Sequence, residues 1–104
     1  MPKLQQALAT LRAHQDELRA MGVRHAAVFG SVARGESTAA SDLDILVDLD
    51  PEKRLDLFDY AGIKLYLAEI FGLPEESDRL DMAHRGALKP RPRRPILEEA
   101  VEAF

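Results

Sequence analysis

Two short runs in this 104-residue chain combine residue types that could do chemistry: Gly30-Ser31 and, after ten intervening residues, Asp42-Leu43-Asp44. A glycine lets the backbone approach a phosphate closely. A short helical piece opening at Ser31 would offer free N–H groups and the favourable end of a dipole. Ser31 adds a hydroxyl donor, and Arg34, one turn on, can reach a phosphate oxygen. Two residues along a strand span about 6.6–6.8 Å and put both side chains on one face. Asp42 and Asp44 can therefore converge on two divalent ions about 3.5–4 Å apart. Magnesium suits such a place, because it prefers a few carboxylates plus phosphate oxygens to a full protein cage. Each half has a plainer reading alone. An Asp-x-Asp is often a solvated strand face, and Gly-Ser is often a turn with an N-cap serine. Together they form a constellation for two magnesium ions and a nucleoside triphosphate.

The elements that would position these residues follow from the apolar pattern. Lys3 to Met21 reads as a helix, with Leu4, Ala7, Leu8, Leu11 and Leu18 near one face and Gly22 as its C-cap. Val23 to Phe29 reads as a strand, running into the Gly30-Ser31 turn. Glu36 to Ser41 is a loop of small residues. Asp42 to Asp50 alternates as a half-buried strand: Leu43, Ile45, Val47 and Leu49 point one way, Asp42, Asp44, Leu46, Asp48 and Asp50 the other. Pro51 stops it. Arg54 to Phe71 reads as a helix with Phe58, Ala61, Leu65 and Ala68 on its apolar stripe, and Asp78 to Ala83 as a short strand. A Pro- and Arg-rich connector from Gly86 to Arg94 leads to a final helix, Pro95 to Phe104. This order predicts an α/β (α+β) fold, a small mixed sheet with helices packed on one face. Residues 1–104 make a single domain on this reading.

A third acid is expected from another strand, to complete the shell of the catalytic metal. Asp81 fits, because Leu80 and Met82 flank it and face the other way. Its plainer reading is an edge carboxylate. Asp48 and Asp50 read as solvated. A calcium loop is rejected, since Val47 stands where that loop needs Gly and Lys53 where it needs Glu. No Gly-Lys-Ser/Thr run is present, which excludes a P-loop. His14, His25 and His84 lack mutual ligand spacing; His84 alone lies near Asp81. The basic connector, with Arg85, Lys89, Arg91, Arg93 and Arg94 in or beside it, reads as a solvated linker or a polyphosphate, RNA or partner contact.

Composition narrows the classes. The net charge of −4, from 18 acidic and 14 basic residues, argues against general nucleic-acid coating. There are no cysteines, so disulfides and thiolate metal sites are excluded. No apolar run has the length of a signal peptide or a membrane span, so the expected location is the cytoplasm. A domain this small has a thin core and gains from a partner.

Gly30-Ser31-Val32-Ala33-Arg34-Gly35-Glu36 followed by Ser41-Asp42-Leu43-Asp44-Ile45-Leu46-Val47 resembles the minimal nucleotidyltransferases of the DNA polymerase β superfamily. Arg79-Leu80-Asp81-Met82 resembles the family's third-acid strand. Leu88-Lys89-Pro90 and Ile96-Leu97-Glu98-Glu99-Ala100-Val101 resemble its tail. The resemblance implies a nucleotidyltransferase core and transfer of a nucleoside monophosphate, most often from ATP, to a hydroxyl. It implies Asp42, Asp44 and Asp81 as catalytic metal ligands for two magnesium ions, with Gly30, Ser31 and Arg34 on the phosphates. It also implies a partner, a HEPN-type ribonuclease toxin that such antitoxins adenylylate on a tyrosine, forming a hetero-oligomer. Two other readings compete: a non-catalytic module that binds nucleotide or docks on the toxin, and an enzyme adding nucleotides to RNA ends.

Overall fold

The computed structural model describes residues 1–73, 79–85 and 97–104. Two helices open the chain, α1 (Leu4–Ala13) and α2 (Gln15–Ala20), where the sequence predicts one. The break is at His14, whose φ of −112° and ψ of 18° leave the helical region. Its ring Nδ1 lies 2.9 Å from the Thr10 carbonyl oxygen. Ala7, Leu8, Leu11 and Leu18 are buried as expected. Gly22 follows with a φ of +106° and turns the chain into β1 (Val23–Phe29).

The five-residue helix α3 (Gly30–Arg34) comes directly off the end of β1. β2 (Leu43–Leu49) is shorter than predicted at both ends, so Asp42 and Asp50 flank it. A 3₁₀ turn at Pro51–Lys53 precedes α4 (Leu57–Ile70). The N-terminus of α4 is capped by Asp56, whose side chain accepts from the Asp59 amide while Asp59 accepts from that of Asp56. β3 (Leu80–His84) follows, and β4 (Val101–Glu102) closes the sheet.

The strand order is β3-β2-β1-β4. β1 runs antiparallel to both β2 and β4, and β2 runs parallel to β3. A register shift between Val23 and His25 lets both Val23 and Ala26 turn toward the helices. One face of the sheet carries Val28, Leu43, Ile45, Val47, Leu80 and Met82 into a core shared with Leu8, Leu11, Leu18, Ile63 and Leu67. The opposite face has a small cluster of Ala27, Phe29 and Leu46, partly covered by Ala83, Leu97 and Ala100.

Two further predicted elements are corrected. Of the predicted apolar stripe of α4 only Ala68 is buried, beside Ile63 and Leu67, whereas Phe58 is 85% exposed and Leu65 48%. Apolar residues surround this helix, so its phase is chosen by the sheet it packs on. The predicted final helix survives only at residues 97–99 among the described residues, and the chain then becomes β4. Without it the edge of β1 would keep unpaired backbone groups. The Ala103 amide donates to the Ala26 carbonyl at 2.8 Å, and Arg12 Nε donates to the Ala103 carbonyl at 2.7 Å. Pro95 and the connector at 86–94 lie outside the described residues, as does residue 78 of the predicted third strand. Among the described residues no helix is long and apolar enough to cross a membrane.

Candidate active site

The sheet brings the predicted residues to one of its ends. Phe29 pairs with Asp44 where β1 runs into α3, and Asp44 pairs in turn with Asp81 on the parallel neighbour. Adjacent strands lie about 4.7–4.9 Å apart, so Asp44 and Asp81 are side-by-side neighbours on one face. That face is the one opposite the main core, since Leu43, Ile45, Leu80 and Met82 take the other. Asp42 joins them from the residue pair just before β2. Asp44 is half-buried, while Asp42 and Asp81 are exposed.

Gly30 is required where it stands. Its φ is +72°, and a Cβ built there would overlap Asp44 Oδ2. The glycine therefore lets the phosphate-type turn and the carboxylate occupy the same small volume. Ser31 follows, half-buried, at the second position of α3. The helix ends at Gly35, whose φ of 73° is left-handed.

The electrostatics of the cluster are unfavourable by themselves. Asp44 is pushed up to about 6, first by burial, then by the charges of Asp81, Asp42 and Glu99, with Arg34 opposing. The strongest repulsion on Asp44 comes from across the strands, from Asp81, rather than from Asp42 along the chain. A divalent cation between these groups would relieve both the burial and the repulsion. Among the described residues no three acids or histidines converge tightly enough to grip an ion on their own. That is consistent with magnesium, which takes one or two carboxylates and completes its shell with water and substrate phosphate. The donor set fits the ion as an acidic edge, not as a closed cage.

Arg34 is not the free cation that the sequence suggests. Its Nε donates to Glu36 Oε2 at 3.1 Å and its Nη1 to Glu99 Oε2 at 2.9 Å. These hydrogen bonds raise its pKa above the usual value. The other oxygen of Glu99 accepts from the Gly30 amide at 3.0 Å. Glu99 is the site residue that sequence reasoning misses. Glu98-Glu99 is an unremarkable acidic pair in a predicted helix, and nothing local ties it to Gly30.

The remaining candidates fall elsewhere. His84 lies on the strand face opposite Asp81, because it shares the side of Leu80 and Met82. Asp50 accepts from the Glu52 amide and caps the 3₁₀ turn. Asp48, predicted as solvated, is half-buried and lines a hollow with His25, Arg85, Glu102 and Phe104. Arg85 pairs with Glu102 at 2.8 Å. Lys89, Arg91, Arg93 and Arg94 lie outside the described residues.

Comparison with known proteins gives the family and the fold. The chain matches the nucleotidyltransferase domain family over residues 11–100. It is 37% identical over 102 residues to the protein adenylyltransferase MntA of Thermococcus cleftensis, spanning 97% of this chain and 96% of that one. A solved structure described as a minimal nucleotidyltransferase is 38% identical, with a TM-score of 0.68 over 90% of this chain and 93% of its own. A toxin–antitoxin complex crystallised with AMP-PNP shares the fold, at a TM-score of 0.68 and 17% identity over 89% of this chain and 72% of the other.

Proposed function

The chain belongs to the nucleotidyltransferase domain family and is a nucleotidyltransferase, and from that premise we propose that it transfers AMP from ATP to a tyrosine hydroxyl of a HEPN-type ribonuclease toxin, acting as its antitoxin. The observation that supports this most is the alignment of Asp44 with Asp81 on neighbouring parallel strands, with Gly30 pressed against the Asp44 carboxylate. The relative in Thermococcus cleftensis, similar along almost its whole length, carries the name of a protein adenylyltransferase.

Asp42 and Asp44 would hold two magnesium ions together with phosphate oxygens, and Asp81 would complete the shell of the one beside the acceptor. The ions would supply neutralisation of the attacking and leaving oxygens. The Gly30 amide, the Ser31 hydroxyl and Arg34 bind the β- and γ-phosphates. They hold the α-phosphorus in line with the incoming tyrosine oxygen, and such positioning carries much of the acceleration in phosphoryl-type transfer. The tyrosine hydroxyl gives its proton to solvent, its oxygen bonds to the α-phosphorus, the bond from that phosphorus to the oxygen bridging the β-phosphate breaks, and pyrophosphate departs.

The test is incubation with α-labelled ATP, magnesium and a candidate HEPN-type toxin from a neighbouring gene. Label is expected on a toxin tyrosine, and none with the Asp42→Asn, Asp44→Asn double variant. No transfer from any triphosphate, with nucleotide still bound, would refute the enzyme reading. One observation favours a second reading: Leu57, Phe58 and Leu65 leave an apolar stripe on α4 that could dock a partner without the acids. Full neutralisation of the toxin by the double variant would select docking over catalysis.

A further inference from the structure

Glu99 occupies two of the three donors that the triphosphate is expected to use, the Gly30 amide and Arg34. Its Oε1 accepts from the Gly30 amide at 3.0 Å and its Oε2 from Arg34 Nη1 at 2.9 Å. A carboxylate and a phosphoryl edge each present a pair of anionic acceptor oxygens, and both bind guanidinium and amide donors by charge-assisted hydrogen bonds. The contact reaches across the chain, from residue 99 to residues 30 and 34, and is made by one side chain. That side chain is 27% exposed, so it already borders water. Glu36, which takes Arg34 Nε, is far more open, with a side chain 68% exposed. A nucleotide phosphate placed against Gly30 and Arg34 would meet the Glu99 carboxylate, a like charge beside the acids at 42, 44 and 81.

We propose that Glu99 is an internal competitor for the phosphate donors: ATP must displace its carboxylate from Gly30 and Arg34, and Glu99 thereby sets nucleotide affinity. The proposal rests on the nucleotidyltransferase reading, with Gly30 and Arg34 as phosphate donors. The displacement has a second consequence. It cuts the link between the phosphate turn and the segment leading into β4, so nucleotide occupancy and the C-terminal strand are coupled in both directions.

The experiment is calorimetric titration of the full chain with ATP and magnesium, alongside the KM for ATP in toxin labelling. Glu99→Ala is expected to bind ATP about tenfold more tightly, the scale of one lost charge-assisted contact. Glu99→Gln, which keeps size and one acceptor but not the charge, is expected to fall between. It also serves if the alanine variant fails to fold. In an Arg34→Ala background the gain from removing Glu99 should shrink, because the competitor has lost a partner. Unchanged affinity, with labelling intact, overturns the proposal and leaves the function standing. Weaker binding in Glu99→Ala that Glu99→Gln restores also overturns it, and makes Glu99 a positioning residue for the turn. Absence of ATP binding in every variant and in the parent removes the nucleotide reading and this proposal together.

Discussion

The face of the sheet that meets α1, α2 and α4 carries Val28, Leu43, Ile45, Val47 and Met82 into a closed core, with most side chains there wholly buried. The other face has only Ala27, Phe29 and Leu46 as a buried cluster, and at one end it gathers Asp42, Asp44 and Asp81. The first face gains from taking apolar surface out of water. The second gives up part of that gain and sets like charges beside one another. The lesson of the contrast is that this small protein concentrates its stability on one side, and that the opposite side is free to be electrostatically strained.

The largest effect is expected on the covered side. Leu67→Ala removes a fully buried side chain facing the sheet and is expected to cost about 3 kcal/mol. That is a large share of the roughly 5–15 kcal/mol that holds a domain together. Urea unfolding would register it as a lower midpoint, and an unchanged midpoint would mean the core is not where the stability lies.

A smaller effect of opposite sign is expected on the open side. Because Asp44 is raised from 3.8 to about 6 in the fold, the folded chain binds that proton more tightly than the unfolded chain does. Stability from this group is then greatest below pH about 4 and is lost as pH rises through about 6. Asp44→Asn in chelator at pH 7–8 should therefore be more stable, by about 1 kcal/mol once solvent screening of a half-exposed group is allowed for. The melting temperature should rise by about 4–8 °C. The gain should vanish below pH about 4, and magnesium should narrow it at neutral pH. A lower melting temperature for the variant in chelator would mean that the acids are not crowded.

The smallest effect is expected at Phe58, which projects from α4 with 85% of its surface in water. Phe58→Ser should change stability by no more than about 0.5 kcal/mol. A larger loss in thermal unfolding would place this residue in the core after all, as the sequence alone suggested.

Where the chain repeats with period two, its sequence reveals the geometry. The alternation from Leu43 to Leu49 puts Asp44 and Leu46 on one face and Ile45 and Val47 on the other. The flanking of Asp81 by Leu80 and Met82 does the same for β3. Where the pattern is saturated or short, it is silent. Helix α4 has apolar residues on every side, so the spacing of Phe58, Ala61, Leu65 and Ala68 marks out one stripe, although the sheet selects Ile63 and Leu67. The two-residue strand β4 is too brief to show any period, and Val101 there is defined by its partner Val28 rather than by its neighbours in sequence. Glu99 is hidden for the same reason: its meaning depends on Gly30 and Arg34, which only the folded sheet brings near.

Parallel pairing of β2 with β3 obliges the chain to cross over the sheet, and α4 is that crossover. The Tyr60 hydroxyl, anchored on the Met82 carbonyl at 3.1 Å, pins the crossover to the strand it delivers. A slip of one residue in that delivery would turn Asp81 inward among hydrocarbon and push a leucine or methionine out beside Asp44. The length of one helix and its connections thus acts as a ruler for the third acid, and insertions there, far from any phosphate, are where catalysis should be lost without loss of a single acidic residue.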